Sequence, residues 1–202
     1  MTAPVFAAAA RSFADLVRRI PDPAWSGPGL GEWDLRALVG HTSRSLITVS
    51  TYLAAPCDRQ DVTSPEHYYV LMREVAATMG SGDILERGRQ AGRDLGTDPA
   101  ASVDQLVARA LADVDAADNP LIAVIGGLGI RLDDYLPTRT FELAVHGCDI
   151  ARATGVDFEL PADVLRDAAT LAARIAVATG DGEAVLMALT GRAALPAGFS
   201  AV

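Results

Sequence analysis

The chain has 202 residues, half of them hydrophobic and 21% charged, with a formal net charge of −9 at pH 7. So much apolar material excludes intrinsic disorder, and the length suits one domain, expected over residues 1–202. The negative balance argues against nucleic acid or an anionic membrane surface as a partner, and no run of about 18 apolar residues offers a membrane span.

Taken in order, the pattern is mostly helical. Residues 5–20 carry an apolar stripe through Phe6, Ala9, Phe13, Leu16, Val17 and Ile20, which Pro21 stops. The opening residues lack the basic start of a signal peptide and are not read as one. A Pro- and Gly-rich loop runs from Pro21 to Gly31. Asp34 is the expected cap of the second helix, and Trp33 before it is placed to staple onto Leu38. Leu35, Leu38, Val39, Thr42, Leu46, Val49 and Leu53 line one face of that helix, and Pro56 ends it.

Ser64-Pro65 reads as the cap and first turn of a third helix through Tyr68, Leu71, Met72 and Val75. Gly80-Ser81-Gly82-Asp83 is expected to interrupt it before a further helix over about 84–95. The next helix opens either at Asp98-Pro99 or at Ser102, which has Gln105 at capping-box spacing. Between Asn119-Pro120 and Tyr135 the period changes: Leu121 to Ile125 and Gly129 to Leu132 flank Gly126-Gly127, a hairpin signature. Gly126-Gly127-Leu128-Gly129 fits no dinucleotide or phosphate-loop template and is read as a turn. A helix from about 137 to 154 is expected to end at Gly155, and another to run from Pro161 to Thr179. Residues 183–190 are expected to be helical, with a loose tail after Leu195. The sum is an all-α helical bundle with a small β-hairpin.

All 17 basic residues are arginine, so mechanisms built on a catalytic lysine are excluded, and the codon bias implied is that of a GC-rich genome. Cys57 and Cys148 are the only cysteines, far apart in sequence, which suits a reduced, cytoplasmic setting better than a disulfide framework. Cys148 lies about 160° around the helical wheel from His146 and is read as a small core residue.

There are only three histidines. Glu142 and His146, four apart, share a helix face with Arg139 and Asp149, while the rest of the circumference is largely apolar. This stripe has two readings: a solvent-facing ion pair, or two ligands on adjacent turns for one metal ion. His41, at the edge of the apolar stripe of the second helix, is the candidate third ligand. A His₂Glu set leaves a coordination position open, as catalytic zinc sites do, although nickel or iron accepts the same donors. Asp149 has two readings, orienting a ligand imidazole or bridging to Arg152. Arg139 likewise either meets an anionic substrate or pairs with Glu142. His67, in a helix first turn, is read as structural.

Two stretches carry a resemblance. Trp33-Asp34-Leu35-Arg36-Ala37-Leu38-Val39-Gly40-His41, followed by the run from Tyr135 through Thr138-Arg139, Glu142, Val145-His146-Gly147 and Asp149 to Gly155, resembles the mycothiol-dependent maleylpyruvate isomerase-like family. These proteins are relatives of the DinB-like metal-binding bundles. The resemblance implies a DinB-like four-helix bundle whose divalent metal, zinc by default, falls on His41, Glu142 and His146. It also implies mycothiol as a thiol cosubstrate, an electrophilic small molecule as its partner, and an isomerase or S-transferase reaction; the arginine-only composition suits an actinobacterial source. Cys148, where the family often has an aromatic residue, and Pro137, in place of a helix former, depart from the pattern. Two other readings stay open: a non-catalytic module that holds a small ligand at the metal pocket, and a structural bundle that forms homodimers.

Overall fold

The computed structural model describes residues 2–78 and 81–202. Among them are eight α-helices and one two-stranded antiparallel sheet, an all-α DinB-like bundle with a small hairpin.

Helix α1 (Thr2–Arg18) buries Phe6, Ala9, Phe13, Leu16 and Val17 of the stripe predicted from periodicity, together with Ala10 and Ala14. Arg18 joins Asp15 on its own helix to Asp104, tying α1 to α5 (Pro99–Asp115). Helix α2 (Leu35–Leu53) starts where the sequence places it: the Asp34 carboxylate accepts the Ala37 N–H at 2.7 Å. Helix α3 (Pro65–Thr78) is opened by Ser64, whose hydroxyl accepts the His67 N–H at 3.2 Å. Helix α4 (Ser81–Asp94) begins about three residues before the expected position, so Ser81 and Gly82 belong to the helix. Of the expected interruption, Gly80 lies outside the described residues. For α5 the Asp98 start is the real one, accepting from Ala101 N–H at 3.0 Å; Ser102 lies inside and donates to the Leu95 carbonyl.

The hairpin is shorter than expected. Strands β1 (Leu121–Ala123) and β2 (Gly129–Arg131) pair with Ile122 opposite Ile130, both fully buried. Its turn needs the glycines, since Gly126 and Gly127 have φ of +77° and +74°. A third extended segment, unforeseen in the sequence, lies beside it: Pro56 bridges to Ile122 and Val62 to Ile130. The Asp61 carboxylate accepts the Gly129 N–H at 2.9 Å, fastening the α2–α3 connection to the hairpin.

Helix α6 (Leu132–Thr154) corrects the largest boundary error, starting five residues before the expected 137. Pro137 therefore sits in its second turn, not its first, and removes only the bond its own N–H would make to Asp133. The early start is stabilised from outside: the Asn119 side chain accepts the Asp133 N–H at 2.9 Å, and Asp133 and Asp134 lie at the positive end of the helix dipole. Gly155, at φ +69°, ends the helix as foreseen. Helices α7 (Ala162–Ala178) and α8 (Gly182–Leu189) follow.

In space α6 is central. It packs on α1, α2, α3 and α7, while α2 also carries α4 and α5. No described helix is long and apolar enough to cross a membrane.

Candidate metal centre

His41 lies two turns into α2, and Glu142 and His146 lie on successive turns of α6, where the two helices pack together. One donor atom from each of the three side chains lies within 4.8 Å of the others. The Glu142 and His146 side chains are 22% and 15% exposed, so the stripe faces a recess between helices and not bulk water.

The two histidines are held differently. His146 Nε2 is 3.4 Å from Glu142 Oε2, and its Nδ1 is 3.1 Å from Asp149 Oδ2. Asp149 thus meets the His146 imidazole, and among the described residues it forms no ion pair with Arg152. Glu142 has a further partner, since the Tyr69 hydroxyl on α3 donates to Oε1 at 2.8 Å. The His41 ring instead lies against rings: Trp33, with centroids 4.4 Å apart, and His146, edge-on at 5.1 Å. Among the described residues neither His41 nitrogen has a hydrogen-bond partner.

These surroundings set the charges. Burial favours a neutral His41 and lowers its pKa to about 4, with the His146 charge acting in the same direction. Burial would do the same to His146, but hydrogen bonds to Asp149 and Glu142 outweigh it and raise that pKa to about 9. Burial alone would raise Glu142; its bond to His146 and the nearby Arg139 charge prevail and lower it to about 2.

The donor set suits a divalent ion. Four ligands at about 2.0–2.1 Å in a tetrahedron are separated by about 3.3–3.4 Å, and the Glu142–His146 donor spacing already has that value. With Nδ1 turned to Asp149, Nε2 is the nitrogen of His146 on the Glu142 side, the arrangement in which a second carboxylate could fix a ligating imidazole.

Beside the triad is a cavity of about 330 Å³. Its lining includes His41, Glu142, Arg44 and Thr48, with Tyr52, Tyr68, Tyr69 and Tyr135, and Arg139. The Arg139 guanidinium lies over the rings of Tyr135 at 4.9 Å and Tyr68 at 5.5 Å, and its Nε donates to Thr138 Oγ1. Among the described residues no carboxylate oxygen comes within 4.0 Å of it, so the expected alternative of a pair with Glu142 is not formed. Burial opposes the Arg139 charge, but the surrounding phenols and Glu142 favour it and keep the group protonated.

The tyrosines are what sequence reasoning missed. Tyr68 was visible only as an apolar position, and Tyr69 carried no signal, because its carboxylate partner lies 73 residues away. The other singled-out residues take no part. His67 Nδ1 faces the N–H and hydroxyl of Thr63, both at 3.3 Å. Cys148, expected in the core, is only partly buried, and burial pushes its thiol pKa up. Gly147, next to His146, leaves room for Phe158: a Cβ there would lie 2.8 Å from that ring.

The family described as mycothiol maleylpyruvate isomerase N-terminal domain matches residues 6–151, a stretch that contains all three candidate ligands. No curated protein and no solved structure matches.

Proposed function

We propose, starting from the fact that the chain belongs to the mycothiol maleylpyruvate isomerase N-terminal domain family, that it is a thiol-dependent metalloenzyme of isomerase or S-transferase type. In this reading His41, Glu142 and His146 hold a divalent ion, zinc by default, with mycothiol as the thiol. The observation that carries it is the convergence of two imidazoles and one carboxylate from separate helices beside a cavity of substrate size.

A divalent ion with a vacant position supplies an electrophile that lowers the pKa of a coordinated thiol, so that thiolate is present at neutral pH. The protein's own groups do the rest. Asp149 orients His146, and Tyr69 holds Glu142, so the donors are arranged before anything binds. Arg139, charged and without a carboxylate partner, lines the cavity one helical turn from Glu142 and receives an anionic group of an electrophilic substrate. Attack of the thiolate on an activated C=C bond would open the π bond: uptake of a proton at the neighbouring carbon gives an S-conjugate, and rotation about the new single bond followed by loss of the thiolate gives the isomer.

Addition of mycothiol to the cobalt(II)-loaded protein tests this reading. A sulfur-to-metal charge-transfer band is expected on addition, and Arg139→Leu should retain the band while weakening binding of an anionic electrophile. An unchanged spectrum at saturating thiol would overturn the thiol role.

A further inference from the structure

The two histidines of the triad differ in what fixes them, and the difference identifies a residue that does not touch the ligand site's contents. His146 is held by two carboxylates. His41 has no hydrogen bond among the described residues, although a ligating imidazole ordinarily donates its second N–H to a carboxylate or carbonyl that sets the ring's orientation. Packing has to do that work.

We propose that Trp33 is the positioning residue for His41, with helix α4 as its support. This rests on the metal reading above. The indole and imidazole centroids are 4.4 Å apart with planes inclined at 33°, and the His146 ring, nearly perpendicular to the imidazole, lies at 5.1 Å. The neighbours of the His41 ring are therefore two other rings. The indole is itself fixed, because Trp33 Nε1 donates to the Leu85 carbonyl on α4 at 3.0 Å.

Gly88, one turn further along α4, closes the arrangement. A Cβ at this position would lie 2.7 Å from both Nε1 and Cε2 of the indole. The helix cannot back away without cost. Gly92 on α4 approaches α2 so closely that a Cβ would lie 2.7 Å from the Arg36 carbonyl oxygen, and a Cβ on Gly40 would run into the backbone of Ala91 and Gly92. The Arg36 guanidinium then holds the end of α4 through the carbonyls of Gly92, at 3.2 Å, and Gly96, at 2.9 Å. The path from α4 to the metal site is therefore Gly88, Trp33, His41, each in van der Waals or ring contact with the next.

The sequence alone suggested a different use for Trp33, as a staple onto Leu38. What the structure records is an indole over His41 that reaches across to α4, whose glycines have no evident purpose when read as a lone helix.

Gly88→Ala, Trp33→Phe and the double variant test the proposal. Two readouts serve: the His41 ring resonances of the metal-free protein, which sense the indole ring current, and the cobalt(II) dissociation constant with its visible spectrum. Thermal unfolding checks the fold. In Gly88→Ala the added methyl should displace the indole, shift the His41 resonances and weaken cobalt binding about 10-fold, the low end of effects from groups that orient a ligand. In the double variant the smaller phenyl ring should accept the methyl and restore most of the affinity. Trp33→Phe alone, which keeps an aromatic face on His41, should retain more affinity than Trp33→Ala.

Wild-type resonances and wild-type affinity in Gly88→Ala would overturn the proposal. So would a double variant as impaired as Gly88→Ala, because the loss would then come from α4 and not from the indole. Should Gly88→Ala not fold, equal affinities for Trp33→Phe and Trp33→Ala would overturn it as well. If the wild type takes up no cobalt, the metal reading fails, and the His41 resonances still decide whether Trp33 positions the ring.

Discussion

Helix α6 has two seams, and they are built on opposite principles. It packs on α1, and the apolar residues buried on the two helices include Leu136, Leu143 and Ala144 of α6 and Phe6, Phe13 and Leu16 of α1. That seam is held by apolar area removed from water. Toward α2 and α3 the same helix presents Arg139, Glu142, His146 and Asp149, four ionisable groups at an interface that could have been apolar. Burying charges costs more than burying methylenes, so the second seam is maintained only because each group has a partner: Tyr69, Asp149, the two rings flanking Arg139. The contrast teaches that one helix can carry stability on one face and chemistry on the other, and that the two faces should respond differently to substitution.

The widest separation is expected from truncation on each side. Phe13→Ala should cost about 3–5 kcal/mol in denaturant unfolding while leaving cobalt affinity near wild type. His41→Ala should do the reverse, abolishing tight cobalt binding while changing unfolding by about 1 kcal/mol. If Phe13→Ala were to remove metal binding from a still-folded protein, the two seams would not be independent.

Asp149→Asn comes next. The amide keeps the shape but no longer favours the imidazole with its free nitrogen toward the triad, and a loss of about 10–100-fold in metal affinity is expected by titration. Equal affinity would mean that Asp149 serves only the metal-free protein.

The smallest effect is the pH dependence of the metal-free protein, and here the polar seam has two limbs of opposite sign. The His146 pKa is raised from its usual 6.5 to about 9, because bonds to Asp149 and Glu142 outweigh burial; its stabilising contribution is complete below pH 6.5 and is lost as pH rises through 9. The His41 pKa is lowered to about 4 by burial and then by the His146 charge; its contribution is present above pH 6.5 and is lost as pH falls through 4. Unfolding free energy measured against pH should therefore decline on both sides of about 6.5. His146→Gln should flatten the alkaline limb and, because the His146 charge helps burial to lower the His41 pKa, also make the acid limb shallower, whereas a wild-type protein equally stable at pH 6.5 and 9.5 would show the His146 pairing to be absent.

The apolar seam was readable from sequence and the polar one only in part. Periodicity marked the α1 stripe because every buried position there is apolar, and local chemistry marked the ends of α2 and α6, since Asp34 and Gly155 act within one turn of where they stand. Spacing likewise put Glu142 and His146 on one face. What failed was whatever depends on distant chain. The start of α6 is fixed by Asn119 from before the hairpin, so Pro137 misled. The strand-like pairing of Pro56 and Val62 depends on partners about 66–68 residues on. Tyr69 and Trp33 look like ordinary apolar residues until α3 and α4 are folded against the helices they serve.

The central claim, that the polar seam is a metal site, is tested most directly by elemental analysis of protein purified without chelator or metal-affinity tag, with Glu142→Ala and His146→Ala treated identically. The account predicts about one divalent ion per wild-type chain and a large loss in both variants, with helical content unchanged. A wild-type protein that carries no metal and takes none up from added zinc, nickel or iron, or variants that retain the full amount, would contradict it.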